Sequence, residues 1–378
     1  MRKVFRITTV PISLNRLFKG QLKMLNEYFE LVGISSPGAD LEEVHQREGI
    51  RVISLPMERR ISPVKDFISL VRMILLFLKE RPDMIHSCTP KAGLISMLAG
   101  WITGVPVRMH TFTGLIFPTA TGLKQKLLIW TDRLTCACAT HINPEGNGVK
   151  QDLIRYHITK KPLKIIANGN VNGIDLEYFQ RTPEVMRAAE AYRKEGVFTF
   201  CFVGRVVRDK GINELVSAFV RLQEKYALTR LILVGPFERN LDPVTPETEK
   251  QILENPAIEF MDFQKDIRPF LVVSDALAFP SYREGFPNVV IQAGAMGVPS
   301  IVTDINGCNE IIEQDKNGLI IEPQNEQVLY LAMEDFLLHP EKVKAMAQNC
   351  RKMMAERFDQ KIVWTALLDE YKNLLKEK

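Results

Sequence analysis

No stretch of the 378 residues is long and apolar enough to read as a membrane span. The longest, Ile68 to Leu78, is interrupted by Arg72 and falls well short of the roughly 20 residues that a bilayer core requires. Behind Met1-Arg2-Lys3 no apolar leader core develops, because Arg6, Thr8 and Thr9 intervene, so no signal peptide is expected and membrane contact is expected to be peripheral at most. Cysteine is scarce: Cys88, Cys136, Cys138, Cys201, Cys308 and Cys350 fall mostly inside apolar runs, and Cys136-Ala-Cys138 is too tight for a zinc knuckle. They read as reduced, buried thiols of a cytosolic protein, with no metal and no cofactor expected. Glycine is missing from the loop after the first predicted strand, which is Pro11-Ile12-Ser13 with Gly20 only later. That argues against a dinucleotide cofactor, whose pyrophosphate needs glycine backbone for close approach. Net charge is only +4, and no nucleic-acid partner is expected.

What is present points to two domains. A chain of this length, 46% apolar, buries two cores more readily than one. Residues 1 to 180 hold 24 Lys and Arg against 15 Asp and Glu, and the remainder 25 against 30. A basic first half suits an anionic membrane face or a pyrophosphate-bearing acceptor, or else is ordinary surface variation. Predicted strands at Val4 to Thr9, Leu31 to Ser35, Arg51 to Leu55, Val105 to Thr111 and Thr140 to Asn143 alternate with helices at about Arg16 to Tyr28, Pro63 to Glu80, Ala92 to Thr103, Leu123 to Ala137 and Glu145 to His157. In the helix from Pro63, Phe67, Leu70, Val71, Ile74, Leu75 and Leu78 form one stripe, read as core-facing rather than as a membrane-surface face. A linker-like region, Leu176 to Glu195, leads to a second alternating series from Val197. This pattern means parallel sheets covered on both faces.

The chain is organised around Ser281 to Pro299, SYREGFPNVVIQAGAMGVP, after the apolar strand Ala276 to Pro280. Glu284 and Gly285 fall in the turn behind that strand, and Pro287 opens a helix. A strand's carboxyl end beside a helix's positive end is where open α/β sheets hold phosphorylated ligands. Gln292 lies eight positions after Glu284, so one elongated ligand reaches both; the plainer reading is a carboxylate favouring the helix dipole and a solvated glutamine. After the strand Val197 to Val203 come Gly204-Arg205 and Lys210-Gly211, two cations at a strand end and a helix start that suit a diphosphate. Gly235-Pro236 ends another strand. In the first half, His110 to Gly114 (His-Thr-Phe-Thr-Gly) follows a strand, so His110 or Thr113 is a candidate to face a cleft, and Leu115 to Gly122 reads as a mobile loop over it. Asn168 to Asp175, rich in Asn and Gly, tolerates positive φ and reads as a shaped cleft wall.

Together these segments resemble the retaining glycosyltransferases of family 4, over nearly the whole chain. Glu284 to Gln292 resembles that family's Glu, seven residues, Glu signature, with Gln292 in the second Glu slot, where it keeps an acceptor for ribose hydroxyls and loses the charge. Gly204-Arg205 and Lys210-Gly211 resemble the family's phosphate site, and Gly307-Cys308-Asn309-Glu310-Ile311 its Gly-x-x-Glu-Ile segment. Related transferases often read Thr-Phe-His-Gly where this chain has Thr113 before Gly114. HTFTG with SYREGFPNVV looks like the bacterial capsular polysaccharide and O-antigen transferases.

The resemblance implies an α/β fold of the GT-B type, two Rossmann-like domains facing each other across a cleft. Residues 1–180 would form the acceptor domain and 195–361 the nucleotide-sugar domain, with the last helix, 362–378, crossing back to the first. It implies transfer of a hexosyl or N-acetylhexosaminyl group from a nucleoside diphosphate sugar, with UDP the expected nucleotide, to a glycan or polyprenyl-diphosphate-linked acceptor in surface polysaccharide biosynthesis. Arg205, Lys210, Glu284 and His110 are the expected catalytic groups. Donor contacts are expected from Gly204, Gly235, Pro236, Gly285, Phe286, Pro287, Asn288, Val289, Gln292 and Glu310, and acceptor or cleft loops at Ser13, Thr113, Gly114, Asn168 and Asn172. Peripheral contact with the inner membrane surface is expected. A nucleotide-sugar epimerase and a non-catalytic sugar-nucleotide-binding subunit are the alternatives.

Overall fold

The computed structural model describes residues 1–58, 60–240 and 242–376. The chain divides into two compact units, Met1–Gly173 with Gln360–Lys378, and Ile174–Asp359. In the first, β1 (Lys3–Ile7), β2 (Glu30–Ser35), β3 (Arg51–Ser54), β4 (Met84–Ser87), β5 (Val107–Phe112) and β6 (His141–Pro144) form one parallel sheet in the order β3-β2-β1-β4-β5-β6. In the second, β7 (Phe198–Val203), β8 (Thr229–Val234), β9 (Ile258–Phe260), β10 (Ala276–Phe279), β11 (Ser300–Thr303) and β12 (Gly318–Ile321) run β12-β11-β10-β7-β8-β9. Each sheet starts in its middle, grows to one side, then returns to grow to the other. The crevice where growth reverses, between β1 and β4 or between β7 and β10, is where such sheets accept ligands.

Both faces of each sheet are buried, and β1 shows how. Phe5 and Ile7 point into a core with Met73, Phe77 and Ile95 from the helices Pro63–Glu80 and Pro90–Ile102. Val4 points the other way, into a core shared with Phe18, Leu22, Leu367, Tyr371 and Leu375. This is the two-residue period of a strand covered on both sides. The helix Gln360–Lys376 thus supplies one wall of the first unit; residues 377 and 378 of the expected helix lie outside the described residues. On that same face Arg6 is fully buried under Phe18, its guanidinium meeting Tyr371 Oη at 3.0 Å and Gln21 Oε1 at 3.3 Å.

Several sequence expectations change. The segment Val10 to Leu14, read as a loop, opens the helix Pro11–Leu17, because proline suits a first helical position. A break at Gly20 (φ +79°) separates it from Gln21–Asn26; a Cβ there would lie 2.7 Å from the Trp364 ring. The region Leu176 to Glu195 is no plain linker. It carries the helix Pro183–Glu190, whose first amides are capped by Thr182 Oγ1 accepting from Val185 N. Most of the stripe read as core in Pro63–Glu80 faces outward: the fully buried positions are Ser69, Met73 and Phe77, while Phe67, Val71, Leu75 and Leu78 are exposed. Leu115 to Gly122 contains a 3-10 turn, Phe117–Thr119, with Phe117 buried against Tyr156. All six cysteines are buried free thiols, and burial pushes Cys136, Cys201 and Cys350 up to about 12.

Candidate functional site

The second sheet gathers most of the expected donor residues at the carboxyl ends of four adjacent strands. Loops after β8, β7, β10 and β11 carry, in that order across the sheet, Gly235 and Pro236; Gly204, Arg205 and Lys210; Glu284 to Pro287; and Gly307 to Glu310. The loops fit only because two turns are glycine. Gly235 (φ +137°) would put a Cβ 1.9 Å from the Gly204 carbonyl oxygen, and Gly211 (φ +70°) one 2.0 Å from that of Pro280. The β7 loop is therefore pressed against both neighbours, which brings groups from three loops to one crevice.

At the reversal point between β7 and β10, the Lys210 ammonium forms a salt bridge with Glu284 Oε1. The two side chains are 15% and 16% exposed, so the pair is largely desolvated and its attraction is weakly screened. Ser281 Oγ donates to the same Glu284 oxygen at 2.9 Å, and the Lys210 nitrogen lies 5.5 Å from the Phe279 ring centroid. On the same β7 loop, Arg205 Nη1 meets Glu238 Oε2, from the loop after β8, at 2.5 Å, and Arg205 is 41% exposed. Both expected cations thus carry one carboxylate each. Arg205 remains partly open to solvent beside its pair, whereas Lys210 is largely enclosed. At Lys210 the incoming oxygen must share the ammonium with Glu284.

Residues that the sequence reading did not single out hold this arrangement. Asp209 accepts from Arg283 Nε at 2.9 Å and Nη2 at 2.5 Å, and its carbonyl accepts from Tyr282 N at 2.9 Å, lacing the β7 loop to the β10 loop. Tyr282 Oη donates to Glu214 at 2.6 Å. The only signal for Ser281, Tyr282 and Arg283 is adjacency to Glu284, and Glu238 lies in a stretch with no motif at all.

Pro287 is the N-cap of the helix Asn288–Ala295 rather than its first residue, and it is buried beside Phe286, which stacks edge-on against Phe358 at 5.5 Å. Asn288 is exposed, and Val289 and Gln292 are half-buried on that helix. Glu310 Oε1 accepts from Gly307 N at 3.4 Å, which ties the start of the helix Cys308–Ile311 to its own first turn.

The first unit treats its expected residues differently. His110 is 2% exposed, its Nδ1 bonded to Ser87 Oγ at 2.8 Å and its ring edge-on to Phe112 at 4.6 Å. A Cβ on Gly93 would lie 2.4 Å from its Cε1, so the helix Pro90–Ile102 seals it from above. Burial pushes its pKa down to about 3. These are the surroundings of a neutral core histidine, which corrects the expectation of a cleft-facing catalytic group. Thr113 Oγ1 donates to the Cys88 carbonyl at 3.2 Å, and Gly114 adopts φ +125°. Ser13 is in the first turn of Pro11–Leu17, and Asn168 is exposed. Asn172 is a structural knot: its Oδ1 accepts from Trp364 Nε1 at 2.8 Å and Gln21 Nε2 at 3.2 Å, and its Nδ2 donates to the Lys19 carbonyl at 3.1 Å. At the reversal point between β1 and β4, Thr9 and Thr89 bond hydroxyl to hydroxyl at 2.7 Å. Among the described residues no cluster of three or more His, Cys, Asp or Glu is placed to hold a metal ion.

Sequence comparison matches residues 187–353 to the family described as glycosyl transferases group 1, and residues 30–169 to the glycosyl transferase 4-like domain. The chain is similar to the capsular polysaccharide biosynthesis glycosyltransferase CapM of Staphylococcus aureus, with 31% identity over 100% of this chain and 98% of that one. It is also similar to the Escherichia coli UDP-Gal:alpha-D-GlcNAc-diphosphoundecaprenol alpha-1,3-galactosyltransferase, with 26% identity over 94% of this chain and 93% of that one. Among solved structures, Anabaena Alr3699/HepE in complex with UDP and glucose superposes with a TM-score of 0.82, 17% identity, and coverage of 99% of this chain and 100% of that one, a likeness of fold.

Proposed function

This chain belongs to the glycosyl transferases group 1, with a glycosyl transferase 4-like first domain, and from that membership we propose how it works and on what. It is a glycosyltransferase with two parallel α/β sheets. Its proposed reaction moves a hexosyl or N-acetylhexosaminyl group from a UDP-sugar to a polyprenyl-diphosphate-linked glycan in surface polysaccharide synthesis, with retention at the anomeric carbon and without a metal. The observation that carries this reading is the meeting of Lys210 and Glu284 at the reversal point of the second sheet, with Arg205 on the same β7 loop as Lys210.

The anomeric carbon's bond to the diphosphate oxygen breaks, and its bond to the acceptor hydroxyl oxygen forms on the same face. The acceptor's proton passes to the leaving phosphate oxygen. Negative charge accumulates on the diphosphate as its bond lengthens, and Arg205 and Lys210 meet it, with the first amides of Asn288–Ala295 adding a fixed dipole. Glu284, oriented by Ser281 and Lys210, accepts from sugar hydroxyls, and Gln292 holds the ribose. The uneven basicity of the first unit suits an acceptor bearing its own diphosphate. We place the enzyme in the cytoplasm, at the membrane face where such acceptors are exposed.

The test is transfer of labelled sugar from a panel of nucleotide sugars to a synthetic GlcNAc-diphospho-polyprenol, with and without a chelator, the product's anomeric configuration read by NMR. A new α-linkage from an α-linked donor, insensitive to chelator, is expected. A product of inverted configuration, or a donor whose sugar is epimerised when no acceptor is present, would replace this reading.

A further inference from the structure

The helices Pro63–Glu80, Pro90–Ile102 and Gly122–Cys138 pack side by side as one layer over the first sheet. The outer side of that layer is unusually apolar. On Pro63–Glu80, Val64, Phe67, Ile68, Val71, Leu75 and Leu78 are all exposed, Phe67 by 66% and Leu75 by 60%. At 100° per residue they span an arc of about 100°, opposite the arc that buries Ser69, Met73 and Phe77. The helix therefore carries two apolar sides, of which the core needs only one. On Gly122–Cys138, Leu123, Leu127 and Trp130 form a second exposed line at i, i+4 and i+7, and Trp101 stands exposed at the end of the helix between them.

Cations dominate the border of this surface; Glu58, which precedes the first helix, pairs with Lys65 at 2.5 Å. Lys65, Arg72 and Lys79, spaced by seven, form a row beside the first stripe, and Lys124, Lys126 and Arg133 border the second, all exposed. The acids on the same helices are drawn away: Asp66 pairs with Lys91, Glu80 with Arg51 and Lys3, and Asp132 is on the inward side of its helix. Resting on the lipid-linked acceptor proposed above, we infer that this face docks on a bilayer surface containing anionic phospholipid, with the apolar stripes and both tryptophans at the headgroup boundary and the six cations among the phosphates. Exposed apolar faces bordered by lysine and arginine bind interfaces in this way. A second copy of the chain fits poorly, because a two-fold contact would set these cations, of which Lys65 pairs with Glu58, against each other.

The full chain mixed with vesicles of phosphatidylcholine alone, or with about a third phosphatidylglycerol, tests this by co-sedimentation and tryptophan emission. Binding to anionic vesicles is expected, weakening as salt rises, with a blue shift that Trp101→Phe with Trp130→Phe abolishes. Trp364, held by Asn172, should contribute little to the shift. Phe67→Glu with Leu75→Glu, and separately Lys124→Glu with Lys126→Glu, should each weaken partition about tenfold or more. Because these substitutions are on the surface, UDP-induced thermal stabilisation should be unchanged in both. Vesicle binding that is absent in the wild type, or undiminished from wild type in both variants, overturns the inference, as does a concentration-dependent doubling of mass without lipid that the Phe67/Leu75 variant abolishes. Loss of vesicle binding with the UDP effect intact would leave the transferase reading standing. Vesicle binding without any UDP effect would instead count against the donor assignment alone.

Discussion

The two units share one strand order and have opposite charge. From the sequence, the first holds 28 Lys and Arg against 16 Asp and Glu, net +12, and the second 21 against 29, net −8. Yet the second unit, the acidic one, concentrates cations at its reversal point, while the basic first unit closes the equivalent point with two threonine hydroxyls and buries His86 and His110. Local placement therefore runs against overall charge in both halves. Net charge says where a unit drifts; the strand tips say what it grips.

The comparison breaks most sharply at Arg205. If the cations of the second unit meet charge developing on the leaving group, Arg205→Ala should lower kcat by about 10²- to 10³-fold or more, with an unchanged melting temperature. Steady-state kinetics giving near-normal turnover would return the two reversal points to equivalence. Next in size is Gly235→Ala, whose Cβ would meet the Gly204 carbonyl at 1.9 Å. The strand-tip loops must move apart, costing about 2 to 4 kcal/mol in denaturant unfolding and separating Arg205 from its neighbours. A neutral substitution would mean the loops are not pressed together.

The smallest expected effect lies in the first unit. Burial pushes Asp132 up to about 7, well above a carboxylate's usual value, so the folded state holds a proton that the unfolded chain releases near pH 4. Its contribution therefore favours folding at low pH and is lost as pH rises from about 4 through 7. Asp132→Asn should leave stability at pH 4 unchanged and raise it at pH 8 by about 2 kcal/mol, with the full shift setting an upper bound near 4. Parallel wild-type and variant stability curves across that range would remove the buried charge from the account.

The alternation of strands and helices was legible in the chain because doubly covered strands are apolar runs with little else to be. The donor loops were legible because glycine, proline and charge cluster at strand ends. What escaped has physical reasons. The stripe on Pro63–Glu80 was correctly periodic, but a period does not say which side meets the sheet, and the buried side includes Ser69, whose hydroxyl is satisfied by the Pro56 and Lys65 carbonyls. His110 follows a strand, as a cleft residue should, but its side chain points sideways under Gly93. Asn172 was visible as a loop residue, while its partners, Gln21 and Trp364, lie far away in sequence. The helix Pro183–Glu190 had a readable start in Thr182-Pro183-Glu184 that a polar, charged context obscured.

The first unit's second core draws Leu367, Leu368, Tyr371, Leu374 and Leu375 from the helix Gln360–Lys376, beyond the whole of the second unit in sequence. During synthesis, Phe18, Leu22 and the buried Arg6 must therefore lack that wall until Gln360–Lys376 has left the ribosome. The order of translation and the order in which the units can close are consequently reversed: the domain begun second is complete while the one begun first is still open.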